Sequence, residues 1–349
     1  MRTLYLIRHA MPDIPLGERW CVGGRSDFPL GALGRLQAAL LPFAPELRDV
    51  KEVYCSALTR ARQTAGALCA APTVVPGLEE QDMGEWDGLS FAEIKEKYPA
   101  LYAAREKDPR LLPAGAESED AVRARMKTAL LRILAAGEGD AAAVSHKGAI
   151  ASLIGTRQGL DYASLTRLCF EGERLVSCET LPPPHPAPSD AVCEALLAAA
   201  PGDEALRGHC RAVAALADEL CAALRGKGLP LDAEAVHAAA LLHDIARIAG
   251  KEHASLGARW LSELGYPKLA EIVRQHHDPE CSGLNEAAVV YIADKAVRGA
   301  RRVSLEERFA ASAAKCTTPE AIGAHARRYE TAKAFKDKIN RLCGAELIR

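Results

Sequence analysis

In the first half of the chain the apolar positions come in short runs. Residues 4–7, 52–54, 142–145, 165–170 and 175–178 read as strands, and between them 33–47 and 121–134 carry helical spacing. Strand runs that alternate with helical patterns predict an α/β domain. Past residue 190 the pattern changes: Ala/Leu-rich segments with helical periodicity recur over 206–224, 233–248, 253–264, 269–277, 286–297 and 320–342, almost without β-branched runs. The second half is therefore expected to be all-α. Between the halves, residues 181–190 hold five prolines in ten positions, which excludes helix and favours an extended linker. The expected organisation is an α/β domain over 1–180, a Pro-rich linker over 181–190 and a helical domain over 191–349.

Chemistry-bearing residues fall at the ends of these runs. Leu4-Tyr5-Leu6-Ile7 suits a central strand covered on both faces, and it stops on Arg8-His9. In an open α/β sheet the C-terminal edge of the strands is where ligands bind. A histidine there can attack an electrophile, and an arginine beside it can hold a phosphate. A glycine-rich loop, Gly23-Gly24-Arg25-Ser26-Asp27, leads toward a helix. After the second strand Ser56 is placed to cap a helix whose first turn carries Arg60, an anion-binding arrangement. Glu79 and Glu80 put carboxylates in a later loop, and His146 stands at another strand end.

The helical half has its own set: His209, the doublet His243-Asp244, His253, the pair His276-His277, and Asp294. Adjacent His and Asp offer one nitrogen and one oxygen to nearly the same point. Histidines and an aspartate from other helices would complete a mixed N/O site for a divalent metal.

Composition narrows the partners. With 44 basic and 46 acidic residues the formal charge is -2, so no global field recruits nucleic acid or an anionic membrane, and an anionic ligand must be held by a local cluster. No run of 18 apolar residues and no secretory pattern at the N-terminus occur, which leads to the expectation of a cytoplasmic enzyme without membrane contact. The 11 cysteines are scattered, with no C-x-x-C pair, so neither a disulfide framework nor a structural zinc site is expected.

Taken in order, Arg-His, Gly-Arg-x-Asp-x-Pro-Leu, Ser-x-Leu-x-Arg-Ala-x-Gln-Thr-Ala, Glu-x-x-Met-Gly-x-Trp-x-Gly and Ser-His resemble the histidine phosphatase (phosphoglycerate mutase-like) superfamily, over roughly residues 1–180. The resemblance implies a three-layer α/β fold with no cofactor. It also implies His9 as the nucleophile that becomes phosphohistidine, Arg8, Arg60 and His146 as the phosphate pocket, and Glu80 as proton donor. Glu79 is the competitor of Glu80, which stands three residues before Met83-Gly84 as the family's acid does. Arg25 is a further candidate for substrate contact. The extra residue in Gly115-Ala116-Glu117-Ser118, against the family's Gly-Glu-Ser, leaves the role of Glu117 open. The short domain favours hydrolysis of a small phosphomonoester, as in alpha-ribazole phosphatase-like members, over a phosphomutase reaction.

The second constellation resembles the HD-domain metal-dependent phosphohydrolases, over about residues 200–300. This implies an all-α fold with His209, His243, Asp244 and Asp294 as the basic metal set. His253 and His276 could complete a second site, and His277 is an alternative to His276. Arg247 and Lys295 are candidate phosphate contacts. Fe, Mn, Co, Ni or Zn, as one or two ions, suits such ligands. The stretch from Val303, with Ser304-Leu305-Glu306-Glu307-Arg308-Phe309, resembles an extension of HD domains attached to nucleotidyltransferase-like partners. The combined expectation is a bifunctional phosphohydrolase acting on small phosphorylated metabolites, nucleotides among them. The rivals are a nucleotide-binding regulatory role for the HD half and phosphomutase chemistry in the first half.

Overall fold

The computed structural model describes residues 1–108, 110–281, 283–314 and 316–349. The chain divides into two compact units, Met1–Pro186 and Ala187–Arg349.

In the first unit the elements run β1 (Arg2–Arg8), α1 (Ala32–Leu40), β2 (Glu52–Cys55), α2 (Thr59–Ala65), β3 (Thr73–Val74), α3 (Phe91–Lys97), α4 (Pro99–Lys107), α5 (Glu119–Ala136), β4 (Ala141–Ser145), α6 (Lys147–Ile154), β5 (Leu165–Glu171) and β6 (Arg174–Leu181). They form a six-stranded sheet in the order β3-β2-β4-β1-β5-β6. Strands β3, β2, β4 and β1 are parallel, and β5 and β6 are antiparallel additions. Strand alternation splits the core into two faces. Leu4, Leu6, Ala141 and Ala143 pack against Val122, Met126, Leu130 and Ile133 of α5 and Ile150 of α6. Tyr5, Ile7, Ala142 and Val144 pack on the opposite face against Leu41, Leu47, Ala61 and Ala65. The result is a three-layer α/β unit whose central strand is β1.

The helix expected over 33–47 stops at Leu40. Pro42 and Pro45 each lack an amide hydrogen, and the chain continues as two 3-10 turns, Leu41–Phe43 and Pro45–Leu47. Strand β3 is only two residues long and carries no periodicity to be read.

The second unit comprises α7 (Asp190–Ala199), α8 (Glu204–Arg225), α9 (Ala233–Leu242), α10 (His253–Glu263), α11 (Pro267–Arg274), α12 (Glu286–Lys295), the small hairpin of β7 (Val297–Arg298) and β8 (Arg301–Arg302), α13 (Leu305–Ala313) and α14 (Pro319–Cys343). It is helix-rich, as its alanine and leucine periodicity predicts. The helix expected over 233–248 ends early, with His243 as C-cap and a 3-10 segment, Arg247–Glu252, that breaks at Gly250 with φ +58. That early end puts His243 and Asp244 at a helix terminus. The eleven cysteines are free thiols. Among the described residues no helix is long and apolar enough to cross a membrane.

Candidate active sites

The first site is built by strand register. Strands β1 and β4 pair in parallel with Arg8 opposite Ser145. The next residue on each strand is a histidine, so His9 and His146 emerge side by side, ring centroids 4.9 Å apart. The His9 amide donates to Ser145 O at 2.9 Å, which anchors the residue by its backbone. Its side-chain Nδ1 lies 2.7 Å from Ala10 O. A carbonyl only accepts, so Nδ1 carries the proton and Nε2 keeps the lone pair. Burial first, then Arg60 and Arg8, holds the His9 imidazole well below its usual range and therefore neutral. His146 is held down in the same way by burial, Arg60 and His9.

Arg8, His9 and Glu80 line one cavity of about 560 Å³, together with Tyr162, Lys147, Gly148 and a rim that includes Arg19, Arg105 and Arg157. Arg60 and His146 do not line it; both are fully buried beside His9. Arg60 is fixed by donating to Ser26 O at 2.8 Å and Gly23 O at 2.9 Å. Yet Arg8 Nε, Arg60 Nε and both ring nitrogens of His146 are buried without a hydrogen-bond partner. Buried polar atoms are normally satisfied, and a cluster of orphans around one imidazole is what a site for a bound anion looks like.

Glu80 is held from two sides. Its carboxylate accepts from Gly148 N at 3.0 Å and Ala149 N at 2.9 Å, at the start of α6. Arg125 of α5 donates to Gly77 O, Glu79 O and Glu80 O, and is itself held by Glu117 at 2.8 Å. Glu79 instead accepts from Gly77 N and does not line the cavity. Arg125, Glu117 and Tyr162, which stacks on Arg8 at 3.7 Å, are positioning residues that spacing alone does not reveal.

Two expectations are corrected by the geometry. Ser56 does not cap α2: the N-cap is Leu58, and Ser56 Oγ accepts from Leu58 N. The terminus is closed by Asp27, which accepts from Thr59 N and Thr59 Oγ1. Arg25 is not brought to the cavity; its guanidinium donates to Asp82 at 2.8 Å and to Gly115 O at 2.9 Å.

Gly148 has no side chain for a steric reason. A Cβ there would lie 2.5 Å from Glu80 Oε1. Gly148→Ala is expected to push the Glu80 carboxylate out of place and lower kcat about a hundredfold, the range for loss of a general acid, with a KM change of threefold at most. Steady-state kinetics on folded variant checks this, and an unchanged kcat would remove Glu80 from the reaction.

In the second unit His209 of α8, His243 and Asp244 at the end of α9, His253 opening α10, His276 after α11 and Asp294 of α12 converge. His209 Nδ1, His243 Nδ1, His253 Nδ1 and His276 Nδ1 each meet a backbone carbonyl: Gly299 O at 3.0 Å, Ala240 O at 2.7 Å, Gly250 O at 2.5 Å and Val273 O at 2.6 Å. All four rings are thereby set with Nε2 as the inward lone pair, the outer-shell pattern of metal-ligating histidines. Those nitrogens face further acceptors: His209 Nε2 is 3.2 Å from Asp294 Oδ1, His253 Nε2 is 2.9 Å from Asp244 Oδ1 and 3.1 Å from His276 Nε2. His253 Nε2 is also met by two donors, Arg247 Nη1 at 3.2 Å and His277 Nε2 at 2.9 Å.

Two groups have donor atoms within 4.8 Å of one another, His209-His243-Asp244 and His253-His276-His277. Asp244 stands between them, with Oδ2 3.7 Å from His243 Nε2 and Oδ1 near His253 and His276. His243 Nε2 and Asp244 Oδ1 are buried without hydrogen-bond partners. The residues present fit a divalent metal. His277 differs from the rest: its Nδ1 lies 3.3 Å from the Lys295 ammonium, which only donates, so the proton sits on Nε2. In this arrangement His276, not His277, offers the lone pair.

Lys295 is buried and spent on Asp294 at 2.5 Å and His276 O at 3.2 Å. Arg247 is half exposed, and its Nη1 lies 3.2 Å from His253 Nε2 and 3.6 Å from Asp244 Oδ1. Arg308 of α13 was not singled out by spacing. Its guanidinium stands 3.9 Å from Asp294 Oδ1, and its Nε is buried without a partner.

A family model of the histidine phosphatase superfamily (branch 1) matches residues 4–179, and an HD domain model matches residues 206–299. A bifunctional protein of Mycobacterium tuberculosis is 33% identical over 167 residues, which are 46% of this chain and 45% of that protein. The chain thus spans less than half the length of that relative. Glucosyl-3-phosphoglycerate phosphatase of Mycobacterium tuberculosis is 32% identical over 165 residues, 44% of this chain and 73% of that enzyme. The solved structure of a mycobacterial glucosyl-3-phosphoglycerate phosphatase with VO3 aligns with a TM-score of 0.43 and 28% identity, covering 48% of this chain and 93% of that one.

Proposed function

Because the chain belongs to the histidine phosphatase superfamily and carries an HD domain in its second unit, we propose that it is a bifunctional phosphohydrolase. The first unit hydrolyses a small phosphomonoester through phosphohistidine. The second is a metal-dependent phosphohydrolase for a nucleotide or another phosphorylated metabolite. The observation that supports the first half is His9, its Nε2 set as the lone pair in the lining of a cavity with Arg8, and with Arg60 and His146 buried beside it.

In that reaction His9 Nε2 attacks phosphorus as the ester oxygen departs. Arg8, Arg60 and His146 stabilise the charge that spreads over the equatorial oxygens. Glu80 gives the leaving oxygen its proton, then takes one from the water that breaks the phosphorus–nitrogen bond and releases phosphate.

In the second unit His209, His243, Asp244 and Asp294 would hold one divalent ion, and His253 and His276, with Asp244 shared, a second. Fe, Mn, Co, Ni or Zn suits this set. When bound, the metal supplies Lewis acidity and a water of lowered pKa. The chain's own residues align the histidine lone pairs through their backbone carbonyls, and Arg247 and Arg308, beside Asp244 and Asp294, would bind the phosphate.

The test uses the whole chain and a panel of phosphorylated metabolites with and without chelator. Chelation is expected to abolish one set of activities and spare the set that His9→Ala removes. Loss of both to chelator, or of neither, would overturn the division of labour. Binding of nucleotide without product would make the HD unit a sensor, and phosphoryl transfer within one substrate without phosphate release would make the first unit a mutase.

A further inference from the structure

The cavity in front of His9 is larger than a phosphoryl group needs, and its excess cations are not used by the reaction. Arg8 and Arg60 suffice for the transferring group. Beyond them Arg19, Lys147, Arg105 and Arg157 stand on the rim, and among the described residues none of the four has a carboxylate within ion-pair distance. In the same unit Arg2, Arg123, Arg125, Arg167 and Arg174 are each paired with a carboxylate.

A second cavity, about 360 Å³, shares Gln81, Arg105 and Arg157 with the first. Its other cations are paired: Arg123 meets Asp120 at 2.7 Å and Glu119 at 3.4 Å, and Arg110 meets Asp108 at 2.9 Å. Arg105 and Arg157, which line both cavities, are its two cations with no carboxylate at ion-pair distance among the described residues. Arg105 is steadied there over the Trp86 ring at 5.6 Å and by donating to Leu111 O. The like charges are close enough to act on one another: Arg105 is pulled down by burial and then by Arg157. On the other side, the carboxylates that line the first cavity are Glu18 and Glu80. Glu18 accepts from the Trp20 indole at 3.1 Å, Glu80 accepts from Gly148 N and Ala149 N, and Asp161 acts on Lys147 and Arg8.

Convergent unpaired cations beside a reaction centre are a binding site for negative charge. We infer that the substrate of the first unit is a phosphomonoester whose leaving group carries a second anionic group, a carboxylate or another phosphate, held between Arg105 and Arg157. This rests on the phosphohistidine reading and adds the substrate class to it.

The test is calorimetric titration of the full chain with alkylphosphonates of two to six carbons whose far end is methyl, carboxylate or a second phosphonate. These ligands cannot be hydrolysed, so binding is read without turnover. At one chain length or more, the charged-end ligand is expected to bind about tenfold or more tighter than its methyl partner, the worth of one charge-assisted contact, with the gap shrinking in high salt. Comparing the two charged series tells carboxylate from phosphate. Arg157→Gln alone, at an exposed position, and Arg105→Gln with Arg157→Gln should bring the series within about threefold of each other. Equal affinity of charged and methyl ligands in the wild type, no binding by either, or a preference that survives the double variant would overturn the inference. Failure of the phosphohistidine reading registers elsewhere, as phosphomonoesterase activity that survives His9→Ala.

Discussion

Replacing His9 with alanine is expected to abolish phosphomonoesterase activity, by about ten-thousandfold or more in kcat, as removal of a nucleophile does elsewhere, with the unit still folded. The first half follows from chemistry: this ring lines the cavity beside Arg8 with its Nε2 lone pair free, whereas His146 does not line the cavity and Glu80 is held by two backbone amides. The second half follows from the backbone. The anchor of residue 9 is the hydrogen bond that its backbone N–H donates to Ser145 O, and the side chain's own hydrogen bond goes no further than Ala10 O. Far-UV circular dichroism and thermal melting check the fold. Brief reaction of the wild type with labelled substrate should trap an adduct that is labile in acid and stable in base. Label on serine or cysteine, or near-normal turnover by His9→Ala, would mean that the nucleophile is another residue.

The second large effect is expected at Asp244. Its two oxygens reach both histidine groups. Burial alone would raise its carboxyl, but His243 and the close approach of His253 outweigh that and hold it far below the usual carboxylate range. Asp244→Ala should therefore release metal from both groups, eliminate the chelator-sensitive activity and lower the stability of the helical unit. Metal bound only to the native state contributes RT ln(1 + [L]/Kd), about 3 kcal/mol when free metal is a hundredfold above Kd. For a unit of this size that corresponds to a fall in Tm of roughly 10 °C. The variant should melt where chelated wild type melts, and chelator should not lower it further. Asp244→Asn keeps shape and one oxygen ligand and should lie between. Wild-type metal content in Asp244→Ala, by elemental analysis of the purified chain, would return His243-Asp244 to the status of an ordinary helix end.

Much of this was legible in the sequence because it is local. Four apolar residues ending on Arg8-His9, and the histidine after Ser145, read as strand ends from their own neighbours. The histidines and aspartates of the second unit read as a set because their spacing follows the helices that carry them. What was not legible depends on partners far away. Arg25 looks like any loop arginine until Asp82 is found beside it, and Ser56 looks like a cap until Asp27 is seen to close the same helix from another loop. Arg125 and Glu117 act on Glu80 only through carbonyls brought near by the fold. The choice between His276 and His277 turns on which carbonyl or ammonium meets each Nδ1, a matter of ångströms that no spacing encodes. Boundaries suffered where proline intervened, as at Pro42.

The pairing of β1 with β4 also governs when the first site can exist. His9 and His146 touch across a sheet seam whose strands are separated by most of the unit's sequence, so a growing or refolding chain holds the nucleophile from the outset but not the pocket. The seam closes only after α5 has been laid down and β4 added, a parallel pairing of high sequence separation and correspondingly slow formation. Catalytic competence in this unit is thus a late event of folding, and a chain interrupted before residue 146 would carry an inert histidine on an open strand edge.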